Sequence, residues 1–295
     1  MSLVTALLPR LRRLVPYPLR LEAARLRRLP AFLLEAPTFA RRRLEPAARA
    51  PLAFVLAKEE APLLRPGARA GTDEQRAKER NISLAVARLD GLLVAPCQIL
   101  SYHWAVGRPS RLRGFRAGLE LRDGRPARGL GGGCCLVSNL LYRLALRGGM
   151  RIVERHRHGL DLFPDDARTV PFGCGATVAY NYADLRFENP LDAPVLLALE
   201  LRDGRGGRSL RGRLLTAGDP GFRVELYEAD HRFRREGDQW LRENRIRRRI
   251  LAAGGAVLVD QEVAHNVARV LYEPGARTAA PAGASEGAPP CCALR

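Results

Sequence analysis

The chain has 295 residues, of which 46% are hydrophobic; this is enough for a sizeable core and excludes a wholly disordered protein. No stretch approaches the roughly 18 uninterrupted apolar residues of a membrane-spanning helix, because arginines interrupt every leucine-rich segment. The net charge of +18 attracts anionic lipid headgroups, nucleic acid or acidic cell-wall polymers. Nucleic acid is the least favoured of these partners, because the chain has no zinc-finger spacing and only 6% aromatic residues.

The first fifty residues are strongly basic, with eleven Arg against three Glu. These arginines interrupt the apolar run that a secretory signal needs, so we expect a cytoplasmic protein. Between Pro18 and Pro30, a helical apolar stripe of Leu19, Ala23 and Leu26 is flanked by arginines. This helix could pack on the core with a solvated basic face, or lie on the acidic inner face of a membrane.

The six cysteines include two adjacent pairs, which suit neither a disulfide framework nor the CxxC spacing of zinc sites. Reduced thiols are therefore expected. A zinc site built from Cys135, His156, His158 and Cys174 is only weakly indicated, since no carboxylate spacing supports it. The sequence thus predicts neither a metal site nor a cofactor.

Two helices are predicted in the middle of the chain. Thr72 and Gln75 form a capping-box pattern before a helical repeat that can end at Gly91, and short strands follow. The second helix has a glycine-rich entrance, Gly131-Gly132-Gly133, and a leucine repeat that ends at Gly148-Gly149. A strand over 151–156 is expected after it.

The remainder of the chain has mostly strand patterns. Strand-like segments are predicted at 177–187, 195–201, 210–215, 222–227 and 256–259. The predicted fold is therefore α+β: a helix with a glycine-rich entrance packed on a mainly antiparallel sheet, with a β-rich C-terminal part. The expected divisions are a basic N-terminal extension (1–70), a core (71–200), the β-rich part (201–273) and a disordered tail (274–295).

The residues best placed for chemistry lie between Gly131 and Asp161. A thiol in the first turn of a helix feels the positive end of the helix dipole, which would lower the pKa of Cys135 and favour the thiolate. His158 follows one helix and one strand later and could act as its base, with Asp161 as the orienting carboxylate. The alternative is that Cys135 packs in the core, as cysteines often do.

Three segments, taken in order, resemble the VanW-like family: NISLAVARLDGLLVAPCQILSYHWAVGRPS, GGGCCLVSNLLYRLAL, and IVERHRH with ATVAYNYADLRFEN. Carried over to this chain, the resemblance implies functional roles for Gly131, Gly132, Gly133, Cys135, Ser138, Leu141, Tyr142, Glu154, Arg155 and His158, and His156 shares the strand face of His158. The chain departs from the family pattern at Leu136, where Gln is usual, and at Gly175, where Asp is usual.

The resemblance implies a role in cell-envelope metabolism or glycopeptide resistance, without fixing a reaction. One hypothesis is thiol-dependent acyl transfer or amide hydrolysis, in which Cys135 attacks a carbonyl and His158 moves the proton. The other is a non-catalytic binding module. In that reading the glycine-rich loop and the basic surface dock an anionic, peptidoglycan-type precursor or the inner membrane face.

Overall fold

Helices and strands alternate up to residue 147, and the chain that follows is built from strands and loops. The computed structural model describes residues 17–64, 72–122, 125–161, 170–204 and 207–274. Its described helices are α1 (Tyr17–Glu35), α2 (Asp73–Leu89), α3 (Tyr102–Val106) and α4 (Cys135–Arg147). None of these described helices is both long enough and apolar enough to cross a membrane.

The strands form four sheets, in which every pairing but one is antiparallel within the described chain. The bounds are β1 (Phe54–Pro62), β2 (Leu93–Val94), β3 (Ile99–Ser101), β4 (Ala117–Arg122), β5 (Arg125–Leu130), β6 (Arg151–Glu154), β7 (Leu160–Asp161), β8 (Arg186–Glu188), β9 (Val195–Gly204), β10 (Gly207–Thr216), β11 (Phe222–Glu236), β12 (Gln239–Ala252) and β13 (Val257–Val270). The sheet orders are β1-β10-β9-β2, β11-β12-β13-β7, β3-β8-β6 and β4-β5. The predicted α+β class is confirmed.

Both predicted helices form at the predicted places. The Thr72 hydroxyl accepts the backbone N–H of Gln75 at 3.2 Å and starts α2, which satisfies one of the donors left free in the first turn. Helix α4 follows the glycine-rich entrance and packs on the sheet at Gly212. A Cβ there would lie 2.5 Å from Leu140 and 2.7 Å from Leu144, so the bare glycine permits the close approach.

The main core lies between α2, α4 and the β1-β10-β9-β2 sheet. Its fully buried members include Ile82 and Leu89 of α2 and Val137, Leu140, Leu141 and Leu144 of α4. These leucines recur at helical spacing, and burial of each is worth about 1.5–3 kcal/mol. The core therefore fixes where the first turn of α4, with Cys135, lies relative to α2.

The predicted strand over 177–187 is largely wrong. Thr177, Ala179 and Ala183 form only isolated bridges, and the regular strand β8 begins at Arg186. Asn181 has a left-handed backbone with φ of 47°, which reverses the chain in the middle of the alternating pattern. The strand predicted over 151–156 also ends early, at Glu154.

The C-terminal sheet is longer than predicted. Strand β12 runs through RENRIRRRI, whose arginines hid the strand pattern, and it pairs with both β11 and β13. Arg248 donates to the carbonyl of Met150 at 2.8 Å and thereby ties this sheet to the end of α4. The predicted tail lies outside the described residues, apart from Pro274.

Candidate functional site

The three glycines before α4 make contacts with the chain itself. Gly131 and Gly133 have φ of 87° and 93°, a conformation that other residues adopt only with strain. A Cβ on Gly132 would lie 2.3 Å from the carbonyl carbon of Gly118 in β4, and one on Gly133 would lie 2.5 Å from Lys78 Cγ. The glycines therefore seat this turn against α2 and β4. Their predicted role in ligand binding stays a prediction.

Asn81 joins the turn to α2, and the sequence analysis gave it no functional role. Its side-chain amide donates to the carbonyls of Gly132 at 2.9 Å and Arg116 at 3.0 Å, and its Oδ1 accepts the N–H of Arg116 at 2.8 Å. The signal in the sequence is a polar residue beside Ile82 on the buried face of the helix. A fully buried amide in this position must be hydrogen-bonded, so it fixes the backbone around it.

The sulfur of Cys135 is not activated in the predicted way. Burial raises the pKa of the Cys135 thiol; a hydrogen bond from the backbone N–H of Val178 partly offsets this, and the negative charge of Glu120 adds to it. Burial therefore acts on this pKa in the direction opposite to the expected effect of the helix dipole. The neighbouring Cys134 is buried in the core, and its pKa is raised to about 12.

The ring of His158 is bound on both sides by other groups. Nε2 lies 3.1 Å from Asn139 Oδ1, and Nδ1 lies 2.8 Å from Thr177 Oγ1. Asn139 Oδ1 also accepts the N–H of Ala176 at 2.8 Å, which marks it as the oxygen and requires Nε2 to carry the proton. Neither nitrogen is left to accept a proton from Cys135. Burial, together with the charge of Arg155, lowers the pKa of His158 to about 4.

Asp161 does not orient His158. Its Oδ2 accepts from Arg242 at 3.1 Å and from the Tyr272 hydroxyl at 2.8 Å, and all three side chains belong to the β11-β12-β13-β7 part of the fold. The Asp184 carboxylate accepts a hydrogen bond from the Ser101 hydroxyl at 2.6 Å and further hydrogen bonds from other groups. The predicted triad of Cys135, His158 and Asp161 is thus not assembled among the described residues.

Ser138, Tyr142 and Arg155 hold the loop 173–176 against α4. Ser138 donates to the carbonyl of Ala176 at 2.7 Å, and Arg155 donates to the carbonyls of Gly173 and Gly175 at 2.6 and 2.9 Å. The Arg155 guanidinium lies 5.0 Å from the centre of the Tyr142 ring, and burial raises the pKa of this tyrosine to about 12. Contacts within the protein therefore fix the positions of Ser138, Tyr142 and Arg155.

Gly175 stands where the family usually has Asp, and a side chain there would press against Asn139 and His158. A Cβ would lie 2.8 Å from Asn139 Oδ1 and 3.1 Å from His158 Cδ2. In this chain, the uncharged side chains of Asn139 and Thr177 therefore bind His158, and no carboxylate is present at position 175.

Glu154 is the centre of a polar cluster beneath α1. Its carboxylate accepts two hydrogen bonds from Arg28 at 2.8 and 2.9 Å, one from the N–H of Asp184 at 3.0 Å, and it lies 2.7 Å from His156 Nε2. Burial would raise the pKa of Glu154, but the hydrogen bonds from His156, Asp184 and Arg28 outweigh it and lower this pKa to about 2. Of the two predicted ligand-binding residues Glu154 and His156, Glu154 is thus already bonded to helix α1.

The exposed side of α2 carries a cluster of arginines that the sequence analysis did not single out. We define the arginine face by Arg43, Arg76, Arg80, Arg88, Arg113 and Arg116. Two adjoining hollows, each of about 330 Å³, lie along it and share Arg76 and Arg80; Arg116 and Asp73 line one of them, and Arg208 and Glu79 line the other. Within the described chain, no carboxylate forms an ion pair with Arg43, Arg80, Arg88, Arg113 or Arg116.

The charges of the arginine face repel one another. The pKa of Arg88 is lowered by burial and by the neighbouring positive charges of Arg113 and Arg43. This face is joined to the glycine-rich turn, because Asn81 fixes the backbone of both Arg116 and Gly132. It can attract and hold an anion at one edge of the α4 entrance. No group of three or more metal-ligating side chains is found in the described ranges.

Fold and motifs together define an α+β protein with a VanW-like region: residues 77–210 match the family described as VanW like protein. The chain is 32% identical over 125 residues to the uncharacterized protein YoaR of Bacillus subtilis, covering 41% of this chain and 39% of that protein. It is 24% identical over 199 residues to the vancomycin B-type resistance protein VanW of Enterococcus faecalis, covering 67% of this chain and 71% of that protein. No solved structure is significantly similar. The resemblance to the VanW-like family is confirmed for this region.

Proposed function

We propose that this protein serves cell-envelope metabolism as a non-catalytic binding module, and that its arginine face docks a phosphate-bearing cell-wall precursor. The observation that carries the proposal is the clustering, on one face, of five arginines for which the described chain provides no carboxylate partner: Arg43, Arg80, Arg88, Arg113 and Arg116. An anion that binds there supplies the missing negative charge, and this binding is favourable. The link to the cell envelope comes from the relative whose name assigns it to vancomycin resistance.

Backbone carbonyls hold these guanidiniums in place, so their positive charge stays uncompensated. Arg80 Nε donates to the carbonyl of Gly114 at 3.0 Å, and Arg43 donates to the carbonyls of Ala87 and Arg88. Arg88 lies 5.3 Å from the centre of the Phe115 ring. Side chains that are already ordered lose less entropy when a ligand binds, and guanidinium groups bind phosphate through two parallel hydrogen bonds.

Thiol chemistry is less well supported. It requires a proton acceptor next to the sulfur, whereas both ring nitrogens of His158 are engaged by Asn139 and Thr177. It also requires an accessible thiolate, whereas the pKa of Cys135 is raised. We therefore favour the binding hypothesis and propose that the protein acts in the cytoplasm, where soluble nucleotide-linked precursors occur.

The test is calorimetric binding of UDP-N-acetylmuramyl pentapeptide to the full chain, with uridine as the control ligand that lacks the phosphates. Replacing Arg80 and Arg116 with Gln removes two charge-assisted contacts, each worth about 1.5–3 kcal/mol, so affinity falls at least tenfold. The matched control replaces Arg202 of β9 and Arg223 of β11 with Gln, which removes the same charge from a different part of the protein. Equal affinity of the two double variants would refute the proposal, as would undiminished binding of uridine.

A further inference from the structure

The apolar side of helix α1 faces the solvent, whereas that of an ordinary surface helix faces the core. Leu19, Ala23, Leu26, Leu33 and Leu34 are all exposed, with Leu26 at 67% and Leu34 at 82% of full accessibility. At about 100° per residue these five side chains lie within one narrow stripe along the helix. The predicted apolar stripe therefore exists, but it faces away from the core.

The opposite side of α1 is fixed to the protein by polar contacts. Arg28 binds Glu154 through both carboxylate oxygens, and Arg25 Nε donates to the carbonyl of Tyr180 at 2.8 Å. Asn181 donates back to the carbonyl of Arg25 at 2.7 Å. Phe32 is buried on the same side, with its ring centre 5.9 Å from that of Trp104. With its charged side occupied in this way, α1 presents its leucines outward.

Arginines border the leucine stripe. Arg20 and Arg27 lie next to it along one side of the helix, and both are exposed. Long arginine side chains can lay their aliphatic stems along an apolar surface and keep the guanidinium at the level of lipid headgroups. An apolar stripe with a basic border is the pattern of helices that lie in a membrane interface.

A second element repeats this pattern beside α1. Leu112 is fully exposed in the turn over 111–114, between the exposed Arg111 and Arg113. The loop is joined to α1 by an ion pair between Arg108 and Glu22 at 2.7 Å. We define the docking face as the α1 stripe, Leu112 and the bordering Arg20, Arg27 and Arg111.

We infer that this docking face binds the surface of an anionic lipid bilayer, with α1 lying in the plane of the interface and Leu112 inserted beside it. The exposed leucines lie on two elements joined by an ion pair, and water solvates these apolar side chains poorly. The arginine border selects phospholipids with a net negative headgroup, because each cation near such a surface contributes attraction that salt screens. The inference does not depend on what the arginine face binds.

The test is co-sedimentation of the full chain with vesicles of phosphatidylcholine alone or with about 30% phosphatidylglycerol. We expect binding to the anionic vesicles only, weakened by salt. Replacing Leu19, Leu26 and Leu33 with Gln should lower the partition coefficient at least tenfold, and so should replacing Leu19, Leu26 and Leu112 with Gln. The control replaces Val257 and Leu258 with Gln, since these exposed residues of β13 lie on another sheet.

All three variants alter exposed side chains, so their urea unfolding midpoints should match that of the native protein. The leucine variant keeps every arginine of residues 1–16, and loss of binding therefore assigns the effect to the stripe. Wild-type binding by the leucine variant would overturn the inference. So would a native dimer that becomes monomeric in this variant, because the stripe would then be covered by a second copy. Failure of vesicle binding leaves precursor binding in solution unaffected, which separates the two proposals.

Discussion

The neutral state of His158 has a measurable consequence for stability. Its pKa is about 4 in the folded protein, against 6.5 for the free side chain, so the folded state binds fewer protons than the unfolded chain between these pH values. Stability from this residue is therefore present above pH 6.5 and is lost as the pH falls toward 4. Relative to pH 7.5, linkage gives a loss of about 1.4 kcal/mol at pH 5.5 and about 2.5 kcal/mol at pH 4.5.

The assay is urea unfolding, followed by tryptophan fluorescence, of the native protein and of a His158→Gln variant at pH 7.5, 5.5 and 4.5. Gln can still donate to Asn139 but does not titrate. The native protein should lose about 2.5 kcal/mol more than the variant over this range. His103, whose pKa burial also lowers, cancels in the comparison. A native protein that loses no more stability than the variant would refute the reasoning, and one that gains stability in acid would mean that folding raises the pKa of His158 instead of lowering it.

Three further predictions concern the same part of the fold. Alkylation of a variant with Cys135 as its only cysteine should have a pH midpoint above that of a model thiol, and a lower midpoint would restore the nucleophile hypothesis. Gly132→Ala should lower the free energy of unfolding in urea by about 2 kcal/mol or more, because its Cβ meets Gly118. The control Gly254→Ala, with nothing within 4 Å, should change this free energy by less than about 0.5 kcal/mol. Equal effects would contradict the packing role of Gly132. Glu154→Gln should raise the rate of amide exchange across 17–35 about tenfold or more. The variant should also lose less stability than the native protein between pH 4.5 and 2. Unchanged exchange would mean that Glu154 does not hold α1.

The helices could be predicted from sequence because their signals are local. A capping hydroxyl at Thr72 and a leucine repeat after Gly133 act over four residues or fewer, and the structure bears out both. The turn at Asn181 could not be predicted, because tertiary contacts with Arg25 and His103 hold its left-handed backbone. Strand β12 was missed because its pairing on both edges, rather than an apolar alternation, makes it a strand.

The candidate site was predicted only in part. The motif located the start of α4, whereas the protonation states of Cys135 and His158 depend on burial and on partners distant in sequence. The arginine face is built from three separate stretches, so no single run of sequence reveals it. Likewise, the sequence contained the α1 stripe but not its direction, which the contact between Arg28 and Glu154 determines.

We propose that ligand binds at the arginine face and not at the Cys135 thiol. The most direct measurement is the affinity of the Cys135→Ala variant for UDP-N-acetylmuramyl pentapeptide at rising salt concentration, beside the native protein. We predict equal affinities at every salt concentration, both falling steeply as ionic strength screens the guanidinium charges. Loss of binding in a folded Cys135→Ala variant, or binding that salt does not weaken, would rule out this mode of binding.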